Sequence, residues 1–262
     1  MIPNICHIYG PFYLNSYGLC IFIGILVFTL LAQRNWLRKR FISKDDFLGL
    51  ICWGTLVGIA GGRLLFVITN LHRMHSILDV FAIWEGGLSL LGAVISISLF
   101  IPLYLRSKNV PVLPILDLVA VYAPLLIGIS RFGCFFAGCC YGRASDAFWA
   151  ITYTNPDCLA PLNVALHPTQ LYSALALILL FFYFRFVLQQ FFGKPGMLFG
   201  ALLLFIGAER ALVDLFRGDL EFFTSNITIP QAIGGTLMGL GIMLVVYATS
   251  YSKAKSYTYE SF

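Results

Sequence analysis

Four arginines stand among apolar neighbours: Arg63 in Gly61-Gly62-Arg63-Leu64-Leu65-Phe66, Arg131 in Ser130-Arg131-Phe132-Gly133, and Arg210 and Arg217 on either side of Asp214. A guanidinium at membrane depth costs roughly 2.5 kcal/mol or more, so such a residue is expected to face a polar cavity and hold an anion. The anion native to that depth is a lipid phosphate. Arg210, Asp214 and Arg217 are spaced i, i+4, i+7 and predict an Arg-Asp-Arg row on one helix face, its carboxylate holding both guanidiniums. The competing reading is an ion pair between helices that only fixes packing. Glu209 points about 100° away and is expected to serve a neighbouring helix, with Arg63 as its partner.

His167-Pro168-Thr169-Gln170-Leu171-Tyr172 predicts a helix start. Proline suits the first helical position, which places His167 at the N-cap, beside free amides and the positive end of the helix dipole. A neutral imidazole there can act as a general base or hydrogen-bond an anion held by the helix start, or it can simply cap the helix. His7, His72 and His75 have no mutual spacing that suggests metal ligation. No metal or other cofactor is read from the sequence.

The elements that must carry these residues follow from composition. Of the 262 residues 59% are hydrophobic and only 11% charged, with a mean hydropathy of +0.86, which excludes an ordinary soluble domain. The net charge of +5 does not indicate nucleic acid, because the basic residues cluster in short loops beside apolar runs. A spanning helix needs about 20 apolar residues. Seven stretches qualify, 17–33, 47–70, 86–105, 112–130, 171–192, 196–216 and 229–250, with 131–170 left as one long non-spanning segment. Neither a linker nor a repeat divides the chain. The expectation is an all-α integral membrane protein, a single bundle of about seven transmembrane helices over 1–262.

Arg34, Arg38, Lys39, Arg40, Lys44, Arg106, Lys108, Lys194, Lys253 and Lys255 fall on one side, and Arg73, Arg131, Arg143 and Arg217 on the other. Ten basic residues against four put the N-terminus outside, the C-terminus in the cytoplasm, and segment 131–170 outside the membrane. Residues 1–10 lack a basic signal-peptide start, so the first span is expected to be retained. Glycine pairs recur at Gly61-Gly62, Gly86-Gly87 and Gly234-Gly235. At Gly234-Gly235 they predict close helix approach. In Trp84-Glu85-Gly86-Gly87-Leu88-Ser89 they predict a loop at a span's outer end.

These pieces, taken in order, resemble the prolipoprotein diacylglyceryl transferase family of bacterial inner membranes. The resemblance runs through Tyr17-Gly18-Leu19, Gly62-Arg63-Leu64, the Trp84 to Ser89 segment, Gly128-Ile129-Ser130-Arg131-Phe132-Gly133, Gly138 and Tyr141-Gly142-Arg143. It continues through the His167 to Tyr172 motif, Glu209-Arg210 with Asp214 and Phe216-Arg217, and Gln231. It implies transfer of a diacylglyceryl group from phosphatidylglycerol to the lipobox cysteine of a prolipoprotein signal peptide, with glycerol phosphate released. It also implies that Arg131 and Arg210 are catalytic, and that Arg63, Glu209, Asp214, Arg217, Gly86, Gly87 and Ser89 bind substrate. Because the attacking cysteine must become a thiolate, His167, Tyr17 and Asp214 are candidates to take its proton.

The departures from the family pattern are concentrated at the chemistry. The family's histidine after Ser-aromatic is Leu91 here, and its signature Arg-x-Gly-Asn-x-x-Asn-Gly-Glu reads Arg131-Phe132-Gly133-Cys134-Phe135-Phe136-Ala137-Gly138-Cys139. Cys134, Cys139 and Cys140 cluster, with Cys158 further along the same segment. A structural disulfide, for example from Cys158 to the cluster, a reactive or lipid-accepting thiol, and small apolar packing all remain open. A metal site ranks below them, since the spacing alone shows too few ligands. Two functions remain: a diverged transferase, and a phospholipid-binding paralogue without lipoprotein modification or with other thiol chemistry. A transporter is disfavoured by the absence of duplicated halves.

Overall fold

The computed structural model describes residues 3–9, 12–71, 80–82, 86–219 and 228–255. His72, Arg73, His75, Trp84 and Glu85 lie outside the described residues, as does the side chain of His7. Long apolar helices dominate. Two small two-stranded sheets are added to the expected all-helical framework: β1 (Asn4–Tyr9) with β2 (Phe12–Asn15), and β3 (Ile151–Thr152) with β4 (Ala165–Leu166). The chain forms two compact units, one built mainly of residues 14–32 and 116–262, the other of 33–115.

The second unit contains α2 (Trp36–Phe41), α3 (Lys44–Thr69) and α4 (Leu90–Ser107). Asn35, Ser43 and Ser89 cap the three helix starts by accepting amide hydrogens. Helices α3 and α4 run antiparallel, with Gly61 against Gly92 and Ser96, and Gly54 against Phe100. A Cβ on Gly92 would lie 2.4 Å from the Gly61 carbonyl oxygen, so the two backbones touch only because neither position has a side chain.

The larger unit holds most of α1 (Ser16–Arg34), then α5 (Val112–Ala137), α6 (Thr169–Tyr183), α7 (Met197–Asp214) and α8 (Ile229–Lys255). Helix α6 continues through a π-helical turn, Phe184–Leu188, and a last turn, Gln189–Phe191. Helices α1 and α5 are antiparallel: Gly24 abuts the Leu126 carbonyl, and Gly133 abuts Tyr17 and Cys20. Helices α7 and α8 meet at Gly207 with Gly234 and at Gly200 with Gly241, again antiparallel. The close approach expected at Gly234-Gly235 therefore holds for Gly234, whereas nothing lies within 4 Å of a Cβ on Gly235.

Four boundaries differ from the sequence reading. Helix α5 does not stop at 130 but carries Arg131 and Cys134 on to Ala137, where Gly138, at φ 75°, ends it. Helix α4 starts at Leu90, leaving Gly86 to Ser89 as a loop. Pro168, not His167, is the N-cap of α6, and no side chain caps that start. Helix α7 ends at Asp214, so Arg217 lies beyond it and the i, i+7 row does not form on one helix.

Among the described residues six helices are long and apolar enough to cross a membrane. The seventh expected span is α7, whose 18 residues include Glu209, Arg210 and Asp214. Its amino end is held by Asp117 of α5, fully buried, which accepts from the Gly196 amide (2.6 Å) and the Phe199 amide (2.8 Å). Asp117→Ala strands those donors and is expected to cost about 1–3 kcal/mol. Thermal unfolding in detergent would check it, and an unchanged midpoint would refute the cap's importance.

Candidate functional site

The carboxyl end of α5 turns back on itself. Gly138 adopts φ 75° and Cys140 φ 57°, a left-handed conformation uncommon for a residue with a side chain. The turn is held from the start of α6: Thr169 Oγ1 donates to the Cys140 carbonyl (2.7 Å) and Gln170 Nε2 to the Cys139 carbonyl (2.8 Å). Both side chains are almost wholly buried. Tyr153 supports the same place, donating to the Phe135 carbonyl and accepting from Gln170.

The chain after Cys140 is laced to two other segments. The Gly142 amide donates to the His167 carbonyl and the His167 amide to that of Arg143. The Arg143 amide donates to the Phe216 carbonyl, and the Gly218 amide to that of Tyr141. Residues 139–144, 165–170 and 214–218 thus form one knot, and positions far apart in sequence share a site.

Arg131 is buried, 6% exposed. Its Nη1 lies 4.0 Å from Cys140 Sγ, and its Nε has no hydrogen-bond partner among the described residues. Arg210 has neither hydrogen bond nor ion pair among them, and the charges of Arg131, Glu209 and Arg217 act on it. Arg217 pairs with Asp219 at 2.9 and 3.0 Å instead of Asp214, and its carbonyl accepts from Arg143 Nε. The expected bridging by Asp214 is replaced: this buried carboxylate accepts from Thr228 Oγ1, and its other oxygen is unpartnered among the described residues. Glu209 does serve a neighbouring helix, accepting from Ser173 of α6. Of Arg131, Arg210 and Arg217 only Arg217 is ion-paired among the described residues, and buried polar atoms of Arg131, Gln170 and Asp214 lack partners among them. Native interiors rarely tolerate such atoms without a ligand or water.

Tyr17 packs through its backbone and ring at Gly133 of α5, two residues beyond Arg131. His167 is half-buried, its Nδ1 3.1 Å from the Tyr172 hydroxyl and its ring edge-on to Phe216. Tyr172 also accepts from Trp149 Nε1 at 2.6 Å. The six described cysteines are free. Cys158, expected as a disulfide partner, is buried with Tyr153, Ala160 and Leu166, its thiol directed at the Phe136 carbonyl. Hydrogen bonds from Cys134 and Cys139, aided by Arg131 and Arg217, hold the Cys140 thiol below the ordinary thiol range despite its burial.

In the other unit Arg63 is buried and fastens a loop. Its Nε donates to the Val80 carbonyl, and its Nη1 to those of Gly86 (2.6 Å) and Gly87 (3.1 Å). Both glycines have positive φ, which lets their carbonyls turn toward it. Ser89 caps α4 and donates its amide to the Gly62 carbonyl. Leu91 sits in the first turn of α4, 58% exposed.

Sequence reasoning missed Asp117, Ser173, Asp219 and Thr228 altogether. It quoted Thr169 and Gln170 without giving them a task; their place beside Pro168 was the only available signal.

Comparison with known proteins places the chain in a family. The family model for prolipoprotein diacylglyceryl transferase matches residues 3–247. The phosphatidylglycerol–prolipoprotein diacylglyceryl transferase of Clostridium tetani is 31% identical over 244 residues, covering 93% of this chain and 96% of the relative. Those of Rhodospirillum rubrum and Idiomarina loihiensis are each 30% identical, over 91% and 94% of this chain and 89% and 92% of their own lengths. The ordered motifs and this end-to-end similarity lead to one conclusion: the chain belongs to the prolipoprotein diacylglyceryl transferase family.

Proposed function

We propose that the protein transfers the diacylglyceryl group of phosphatidylglycerol to the lipobox cysteine of a prolipoprotein. The cysteine sulfur attacks the glycerol carbon, a carbon–sulfur bond forms as the carbon–oxygen bond to phosphate breaks, and glycerol phosphate leaves with the electron pair. The observation that carries the reading is the buried Arg131, its Nε unpartnered among the described residues, in the company of Arg210 and Arg217. Guanidiniums placed this way hold a phosphate and stabilise the charge that grows on it.

The thiol proton goes to His167 in this proposal. In the tautomer proposed here, Nδ1–H of His167 donates to the Tyr172 hydroxyl, which also accepts from Trp149. Nε2 then remains to accept. Tyr17 and Asp214 stand as alternatives. Arg63, Gly86, Gly87 and Ser89 act in a supporting loop, with Glu209 steadying the arginine helix from Ser173. Seven helices cross a bacterial cytoplasmic membrane, α7 included, with the N-terminus outside, the C-terminus inside and residues 138–168 on the outer face.

The test is transfer of labelled diacylglyceryl from phosphatidylglycerol to a lipobox peptide by purified protein. Label on the peptide cysteine is the expected result, and His167→Ala should lower the rate about 100- to 10,000-fold. A second reading, lipid binding without transfer, is favoured by Leu91 at the family's histidine position. Lipid binding by folded protein with no labelled peptide would select it.

A further inference from the structure

Cys134, Cys139 and Cys140 bring three sulfur atoms within 4.8 Å of one another. Their convergence is built by the backbone. Helix α5 supplies Cys134, the left-handed Gly138 turns the chain, and the Cys139 amide returns to the Cys134 carbonyl at 3.2 Å. Cys140 holds its own left-handed backbone while Thr169 and Gln170 grip the two carbonyls beside it. Strain maintained by surrounding structure is a mark of functional positions. Simple apolar packing would need none of this.

We infer that the three thiols form a binding site for a soft, thiolate-seeking cation, with Zn²⁺ as its representative. Zinc–sulfur bonds of about 2.3 Å in a tetrahedral arrangement put sulfurs about 3.8 Å apart, so the cluster needs to contract by no more than about 1 Å. The three sulfurs bind as thiolates, releasing the protons still on them, and with Zn²⁺ carry a net charge of −1. The Arg131 guanidinium, 4.0 Å from Cys140 Sγ, neutralises that charge within a buried setting. Three protein ligands leave the fourth tetrahedral position for water or an anionic oxygen. Sequence spacing ranks a metal site last, because residues five and six apart meet only if the helix ends between them.

The test uses full-length protein in detergent, purified through a tag without histidine, stripped with reductant and chelator, and titrated with Zn²⁺ against a chromophoric chelator. One zinc per chain is expected, with Cys134→Ser, Cys139→Ser and Cys140→Ser each losing stoichiometric binding and Cys52→Ser keeping it. A Cd²⁺ titration should raise a sulfur-to-metal charge-transfer band that falls in each of the three variants. Should a variant misfold, the wild type still decides: zinc should protect Cys134, Cys139 and Cys140 from maleimide while Cys52 is labelled, mapped by mass spectrometry. No stoichiometric zinc, zinc that survives all three substitutions, or a disulfide within the cluster that forms equally in the presence of zinc would overturn the inference.

Discussion

Arg131→Ala is expected to reduce diacylglyceryl transfer about 100- to 1,000-fold while leaving the protein as stable as before. The first half follows from the role of a fixed donor aimed at developing charge, whose removal costs that much in other enzymes. The second follows from what Arg131 lacks. Its Nε bonds to nothing among the described residues and its Nη1 meets only a thiol among them, at 4.0 Å, so the fold gains little from the guanidinium. Removing a poorly compensated buried charge can even raise stability. Arg131→Lys should restore only part of the rate, since an ammonium lacks the planar fork that matches phosphate. Transfer rate and thermal midpoint must be read on one preparation. Full transfer by the alanine variant would remove Arg131 from the mechanism, and a collapsed midpoint would make it structural.

Leucine at Gly207 or Gly234 should unfold the larger unit's packing, whereas leucine at Gly235 should be tolerated. A Cβ on Gly207 would lie 2.5 Å from the Gly234 carbonyl oxygen, and one on Gly234 2.9 Å from that of Gly207. Both obstacles are backbone and cannot swing aside. Overpacking costs typically about 1–3 kcal/mol where side chains can adjust, and more is expected where they cannot. Gly235 faces open space within 4 Å. Since α7 carries Arg210, the two damaging variants should also lose transfer. Detergent-dependent unfolding separates adjacent glycines that look alike in sequence, and equal sensitivity at Gly234 and Gly235 would refute the α7–α8 contact.

Membrane character and the positions of most helices were legible because apolar length is a local signal. Where reading failed, the determinant was not local. A charge at Arg131 suggested an exit from the membrane, yet Phe132, Cys134, Phe135 and Phe136 keep the segment helical until a left-handed glycine ends it. The Arg-Asp-Arg row assumed that α7 continued to Arg217; the helix ends three residues earlier, and Asp219 and Thr228 take over the pairing. Asp117 is a single acid in an apolar run, and its partners lie about eighty residues away, so no local signal marks it. The cysteines were visible as a cluster, but their meeting depends on the turn at Gly138 and on Thr169 and Gln170.

Asp117 has a geometric consequence beyond stability. It pins α7 to α5 near the amino ends of both, giving the two helices a common datum. At 1.5 Å per residue, Arg131 stands about 21 Å above Asp117, and Arg210 about 17 Å above Phe199. The fastening acts as the zero of a molecular ruler, and the two guanidiniums reach nearly the same graduation. A residue inserted between the datum and either arginine would shift that arm by 1.5 Å and swing its side chain by about 100°, putting the pair out of alignment without touching the site itself.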